Sequence, residues 1–550
     1  MIQAVRLIIT TLACALIIGC QSTSSMQHLD SIALNTQANV TQETTEQTIT
    51  LPLLISPADI SHPAEWDTEL QDREVDNNIW LRIANGLVID VPQIRRVTVQ
   101  RDWYAKHQSY LNRVADRAQP FLYFIVEQIA QRNMPMELAL LPIVESAFDP
   151  FAYSHGRASG MWQFIPGTGK RFKLEQNWWY DGRRDVYAST HAALDYLEYL
   201  HRLFNGNWLH ALAAYNSGEG NVRRAIRNNK RRNKPTDFWN LKLPKETKAY
   251  VPKLLALADL LKRDDEFALD WKPIANKPAI AKINIGSQLD LALAADMAGM
   301  SVEEIYRYNP GFNRWSTAPK GPHYLMLPVE KAEQFTLGLA STSPEERVRW
   351  LRYSIRSGDS LSTIASKHNT TVATLRSVNR IRGNSIRAGE TLLIPTASQS
   401  QYAYTLSAER RLETKQNVKR TGNKQTYVVQ PGDNFWDISR RFGVHHRTLA
   451  KWNGMAPTDP LKVGKTLVIW TQTPVHTAGP AVNSELDKQT RLRKIYYRVR
   501  RGDSLARISS KFAVSMNDLK RWNKTLSSRK YLQPGDKLQL YVDITNQSGN

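Results

Sequence analysis

The chain has 550 residues, 42% of them hydrophobic and 23% charged, a mixture that excludes wholesale disorder and allows several packed domains. The formal net charge is +22, but residues 341–550 hold 36 basic and 15 acidic side chains, whereas residues 1–340 hold 37 and 36. One half is therefore nearly neutral, and the other is built to meet something anionic.

At the amino terminus Arg6 precedes the apolar run Leu7–Ile18 and then Gly19-Cys20. A run of about twelve residues is too short to span a bilayer, which takes about twenty, and it fits an export signal. Its ending, Ile17-Ile18-Gly19-Cys20, resembles a bacterial lipoprotein box. The resemblance implies removal of residues 1–19 and acylation of Cys20. With Gln21 next, rather than Asp, it implies the periplasmic face of the outer membrane of a Gram-negative cell. Cys14 would leave with the signal, so no disulfide framework or cysteine-based zinc site remains for the folded body. Residues 20–65, rich in Ser, Thr and Gln, predict a flexible tether.

Residues 66–265 are expected to form one domain with an amino-terminal extension, although no element is assignable from Trp66 to Trp103. Between Ala118 and Leu261 apolar residues recur at helical spacing, as in Phe121, Leu122, Ile125, Val126, Ile129 and in Ala193, Tyr196, Leu197, Leu200. That periodicity predicts a compact all-α domain. A helical pattern opens at Met136, with Leu138, Leu141, Ile143 and Val144 as its apolar sides, and places Glu145 near its end. Pro142 inside the pattern predicts a lost hydrogen bond and a bend. A carboxyl in such surroundings has a raised pKa and stays protonated near neutrality, as a general acid requires. Most glycoside hydrolases need a second carboxylate. Asp149 precedes Pro150, and Asp181 and Asp185 lie in a loop-like Tyr-Asp-Gly-Arg-Arg-Asp stretch, so none is an evident partner.

Four segments follow in order: Glu145-Ser-Ala-Phe-Asp-Pro, Gly160-Met-Trp-Gln-Phe-Ile-Pro, Ala214-Tyr-Asn-Ser-Gly-Glu-Gly and Glu246-Thr-Lys-Ala-Tyr-Val-Pro. Together they resemble the lysozyme-like lytic transglycosylases of bacteria. The resemblance implies a lysozyme-superfamily fold and a single catalytic acid, Glu145. It would protonate the bond between N-acetylmuramic acid and N-acetylglucosamine, then take the proton of the C6 hydroxyl as a 1,6-anhydro ring closes. No water, metal or organic cofactor is implied. By the same resemblance Ser154 and Gln163 hydrogen-bond sugar groups, Tyr215 lies over the same subsite and Asn216 stands beside it. Tyr215 and Trp162 also fit plain core aromatics, and Tyr250 either lines the groove or packs.

The carboxyl half repeats itself. Tyr353-Ser-Ile-Arg-Ser-Gly-Asp-Ser-Leu, Tyr427-Val-Val-Gln-Pro-Gly-Asp-Asn-Phe and Tyr497-Arg-Val-Arg-Arg-Gly-Asp-Ser-Leu are the same opening, and each Gly precedes an Asn by 21 residues. The pattern predicts strand, turn, two short helices, turn, strand in units 352–396, 426–470 and 496–542. These units resemble LysM modules, which bind glycans containing N-acetylglucosamine. The turns Gly358-Asp359-Ser360, Gly432-Asp433-Asn434 and Gly502-Asp503-Ser504 are the candidate sugar contacts, with Asp or the next residue capping a helix. A degenerate copy is expected at 280–330, where Gly286 and Asn309 stand 23 apart; without the Gly-Asp-Ser turn its role is structural. Polar linkers at 396–424 and 471–494 predict independently moving units.

The whole is thus expected to be a multidomain chain, an all-α lysozyme-like catalytic domain followed by βααβ modules. Its partners would be peptidoglycan strands and, through the lipid, the outer membrane; no protein partner is indicated. A hydrolytic muramidase on the same fold and a non-catalytic wall-binding lipoprotein are the alternatives. Nucleic-acid binding, the generic meaning of a basic half with aromatics, is opposed by the export signal. His445-His446 has no Cys or acid ligand nearby, so no metal site is expected.

Overall fold

The computed structural model describes residues 77–472, 492–500, 503–512, 514, 516–523 and 532–543. The export signal, the tether, Cys20 and Gly502 lie outside the described residues. No helix among the described residues is long and apolar enough to cross a membrane.

Residues 79–262 form helices joined by loops, and several of the helices begin where the sequence supplies caps. Asn78, Asp185 and Asn207 accept from Trp80, Ala188 and His210 N–H at the starts of helices Ile79–Asn85, Val186–Leu203 and Trp208–Ser217, which satisfies otherwise orphaned donors. The long helix Lys245–Lys262 runs through the core and buries Val251, Leu254, Leu255, Leu257 and Leu260. Helices Arg95–Ala105 and Trp208–Ser217 pack on it. Residues 78–105 form two of these helices, which the mixed pattern there did not reveal.

The Met136 pattern divides into two pieces, a 3-10 turn over Met136–Leu140 and an α-helix over Leu141–Ser146. Pro142 stands in the first turn of the second piece, where a missing N–H removes no helical bond. The expected interruption is therefore a helix start.

Among the described residues beyond 279 stand four small modules, each a two-stranded antiparallel sheet with two helices between the strands. The strand pairs are Ile280–Asn284 with Tyr324–Pro328, Arg349–Ser354 with Thr391–Thr396, Asn423–Val428 with Thr466–Thr471, and Leu492–Arg498 with Lys537–Asp543. One asparagine clamps each module. Asn379 Nδ2 donates to the carbonyls of Leu375 and Leu393 while its Oδ1 accepts from Leu393 N–H. Asn453 and Asn523 repeat the arrangement. So does Asn309 in the degenerate copy, where the following helix Val329–Ala340 adds Phe335 and Leu339 to the core.

The degenerate module is fastened to the helical domain through the Tyr-Asp-Gly-Arg-Arg-Asp stretch. Asp181 N–H donates to Gly311 O at 2.8 Å, Arg184 Nε to Pro310 O at 3.0 Å, and Tyr324 hydroxyl to Asp185 at 3.0 Å.

The linker after the first repeat does not leave it free. Tyr404 is buried with its hydroxyl on both oxygens of Asp290, at 2.9 and 3.0 Å. Helix Ala408–Asn417 follows, capped by Ser407. It begins on the degenerate module, with Ala408 N–H to Asn313 O, and ends on the second repeat, with Gln416 Nε2 to Asn453 Oδ1 at 2.9 Å. A polar composition disguised a packed brace, so the expectation of independent motion across 396–424 is corrected. Most of the second linker, 473–491, lies outside the described residues.

Candidate active site

Glu145 is the penultimate residue of helix Leu141–Ser146. The chain leaves that helix through Ala147 (φ 53°) and Phe148 (φ 56°), two non-glycine residues in the left-handed region. Each costs on the order of 1 kcal/mol. The turn is held because Ala147 and Phe148 N–H donate to Ile143 and Pro142 carbonyls, both at 3.1 Å, and the Phe148 ring is buried.

Three other elements converge on this helix end. From helix Lys245–Lys262, Tyr250 donates its hydroxyl to Glu145 Oε1 at 2.6 Å. One turn earlier on that helix, Thr247 donates to Asn216 Oδ1 at 2.8 Å. Positions three apart share a helix face, so one helix grips both the acid and the amide. From helix Trp208–Ser217, Tyr215 donates to Trp162 O at 2.8 Å. Ser146 Oγ donates to Met161 O at 3.0 Å. Residues 161 and 162 are thereby tied to both helices.

Those residues belong to a hairpin-like loop, closed by Ser154 N–H to Ala158 O, Gly160 N–H to Ala152 O and Ser159 N–H to Phe164 O. Gly160 (φ +83°) is required, because a Cβ there would meet Arg183 O at 1.9 Å. Ser154 Oγ accepts from Gly156 and Ala158 N–H at 3.2 and 3.0 Å. Gln163, itself left-handed, donates from Nε2 to Gly160 O at 2.8 Å. Both candidate sugar contacts thus also shape their own loop. Trp162 is fully buried, with Nε1 on Thr190 Oγ1, and is a core aromatic. Tyr215 is only partly buried and packs on Phe164 and Tyr196.

Burial pushes the Glu145 carboxyl up to about 7; the Tyr250 hydrogen bond opposes this and nearby Glu246 adds to it. Burial also holds the Tyr250 and Tyr215 phenols well above their usual range, with Glu145 contributing. The acids weighed from the sequence, and Glu219, are committed elsewhere. Asp149 accepts from Phe151 N–H, Asp181 pairs with Arg183, Asp185 caps a helix, and Glu219 pairs with Arg171. Among the described residues no three His, Cys, Asp or Glu side chains stand together as a metal site.

In the repeats Gly358 (φ +87°) and Gly432 (φ +88°) make turns with positive φ, which favours glycine. Ser360 and Asn434 cap the following helices, and Ser504 Oγ accepts from Arg507 N–H. The aspartates do not cap. Asp359, Asp433 and Asp503 each accept the hydroxyl of the opening tyrosine, Tyr353, Tyr427 or Tyr497, and a backbone N–H three residues upstream. Thr247, not singled out from the sequence, stands in the fourth motif two residues ahead of an unrelated alanine and one helical turn from Tyr250; that spacing was its only signal.

Comparison with known proteins gives a consistent picture. Residues 123–238 match the Transglycosylase SLT domain, residues 279–343 the LysM-like domain of lytic transglycosylase MltD, and residues 353–395, 427–470 and 497–540 the LysM domain. The chain is 37% identical over 476 residues to membrane-bound lytic murein transglycosylase D of Escherichia coli K12, covering 84% of this chain and 97% of that protein. A putative tributyltin chloride resistance protein of Alteromonas sp. strain M-1 is 43% identical over 185 residues, 33% of this chain and 87% of that one. Among solved structures, an inactive mutant of lytic transglycosylase Slt from Pseudomonas aeruginosa aligns over 27% of this chain and 25% of that one, with 25% identity and a TM-score of 0.22.

Proposed function

Because the chain belongs to the family of membrane-bound lytic murein transglycosylase D, we propose that Glu145 is the single acid and base of its reaction. The protein is a peptidoglycan lytic transglycosylase with LysM peptidoglycan-binding repeats. Protonated at rest, Glu145 gives its proton to the glycosidic oxygen between N-acetylmuramic acid and N-acetylglucosamine. The bond to the muramyl C1 breaks, and the substrate's acetamido oxygen stabilises the cationic carbon. Glu145, now a carboxylate, takes the proton of the C6 hydroxyl as that oxygen bonds to C1. A 1,6-anhydro ring results, and no water is consumed.

The observation that carries this reading is the Tyr250 hydroxyl on Glu145 in an otherwise desolvated site. Burial keeps the proton on between turnovers, and the phenol stabilises the carboxylate once the proton has left. Ser154, Gln163, Tyr215 and Asn216 are proposed to hold the sugars about the scissile bond. Mass spectrometry of a peptidoglycan digest tests the reaction. Predominantly anhydromuramyl ends are expected; predominantly water-added ends would establish the muramidase instead.

The envelope location follows from the family, and the finer address is proposed from Cys20, acylated and set in the outer membrane. Loss of fatty-acid labelling in Cys20→Ser is the expected result, and persistence of the label would remove the anchor. The turns at Gly358-Asp359-Ser360, Gly432-Asp433-Asn434 and Gly502-Asp503-Ser504 are proposed to meet the glycan mainly through backbone groups, since the aspartates brace the turns.

A further inference from the structure

The second repeat touches the loop that carries Ser154. Asp459 lies between helix His446–Trp452 and strand Thr466–Thr471. Its Oδ2 accepts from Ala456 N–H at 2.8 Å, closing its own turn, and from the Tyr153 hydroxyl at 3.0 Å. Its Oδ1 stands 2.7 Å from Arg157 Nε. Asp459 is therefore held from both sides of Ser154, by the residue just before it and by the residue three after it.

The grip is needed by the loop. His155 and Gly156 at its tip are exposed, and Arg157 is left-handed at φ +69°. Its carbonyl accepts from Arg183, whose guanidinium is paired with Asp181, so the loop is braced on one side by the helical domain and on the other by Asp459. The brace helix Ala408–Asn417 fixes the repeat in place, with Arg411 4.8 Å over the Phe151 ring and Gln416 bonded to Asn453. The acid is peculiar to this repeat. Between the clamp asparagine and the second glycine, residues 380–388 and 524–534 of the other repeats contain no Asp or Glu, and residues 454–463 contain Asp459 alone.

We propose that the second LysM repeat is a fixed wall of the catalytic groove and that Asp459 is a positioning residue, holding the Tyr153–Arg157 loop so that Ser154 meets the substrate. This rests on the chain acting as the transglycosylase described above. The consequence is that substrate binding depends on a residue of a wall-binding repeat, while the proton chemistry at Glu145 does not.

Steady-state kinetics of the full mature chain on purified, uncross-linked glycan strands test it. Asp459→Ala is expected to raise KM about five-fold while kcat stays within about two-fold, the pattern of lost binding without lost chemistry. Arg157→Gln should do the same from the other side of the contact. Because the Arg157 contact runs through Asp459, the double variant should be no worse than Asp459→Ala alone. Asp459 also closes its own turn, so if Asp459→Ala unfolds the repeat, Arg157→Gln decides alone. Unchanged KM in both single variants, or additive effects in the double variant, would overturn the proposal. Absence of anhydro ends in the wild-type digest would instead overturn the reaction, a separate readout on a separate sample.

Discussion

Tyr250 and Glu145 lie 105 residues apart in the chain, and the phenol of one sits 2.6 Å from the carboxyl of the other. The contact joins the end of a six-residue helix to the buried central helix of the domain. It sets two opposing influences on one proton: burial, aided by Glu246, holds it on, and Tyr250 eases its departure.

Glu145→Gln should abolish lysis and stabilise the protein, by an amount that depends on pH. The folded-state pKa of Glu145, about 7, lies above its ordinary value of 4.5. The wild type therefore loses stability as pH rises through that window, and the loss is complete above about 7. Glutamine escapes it, so the variant should gain about 2–3 kcal/mol on wild type between pH 4 and pH 8. Denaturant melts at both pH values check this. An equal gap at the two would mean that Glu145 is not held protonated.

Tyr250→Phe removes the one contact that lowers the Glu145 pKa. The activity that needs a protonated acid should then persist to higher pH, and the basic limb of the pH–rate profile should move up by about one unit. Turnover at the optimum should fall about 10- to 100-fold, since a hydrogen bond to a carboxylate contributes about 1.5–3 kcal/mol. A basic limb that stays in place would show that the bond is absent from the working enzyme.

Full-length Glu145→Gln, expected to leave its ligand undigested, should bind purified peptidoglycan through two distinguishable forces. The surplus of 36 basic over 15 acidic side chains beyond residue 340 supplies an attraction that fades as the Debye length shrinks from about 10 Å at 0.1 M salt to about 3 Å at 1 M. Sugar contacts should persist. Complete release at 1 M salt would reduce the repeats to a basic patch.

Asn453→Ala should unfold the second repeat ahead of the rest. The side chain makes three bonds to the backbone and one from Gln416, and removing it strands buried polar groups at about 2–4 kcal/mol in all. Hydrogen exchange should rise across residues 423–471 and spare the helical domain. Exchange that is unaltered in the repeat would mean the clamp contributes little.

Much of this architecture was legible because the chain states it more than once. Three openings in register announced the repeats, and the 23-residue spacing of Gly286 and Asn309 marked the fourth, whose clamp proves the same as the others. Glu145 stood out as a candidate because a charge among Leu141, Ile143 and Val144 is anomalous and because it opens the first of the four motifs. Pro142 misled because proline within a helical pattern and proline opening a new helix look alike in sequence. The brace at 397–417 was hidden for a related reason: a polar helix packed by hydrogen bonds has the composition of a loose linker. Tyr404 finds Asp290 114 residues away, and Asp459 finds Tyr153 at 306. No local pattern encodes such partners, so Tyr250 remained undecided and Asp459 was not singled out.

Ser154 accepts two N–H groups and Gln163 donates one amide hydrogen within their own loop. What is left for a ligand is an O–H, a donor only, from the serine, and from the glutamine its carbonyl oxygen together with one remaining N–H. In the sugar-binding role proposed for them, the serine asks the ligand for an acceptor and the glutamine can meet either half of an amide, which the acetamido group of the proposed substrate offers. Deacetylating the sugar nitrogen replaces that amide by an ammonium, all donor and no acceptor. On the role proposed for Ser154, a glycan so altered leaves the serine hydrogen without its acceptor, so the loss of two carbons from the sugar weakens binding at that loop.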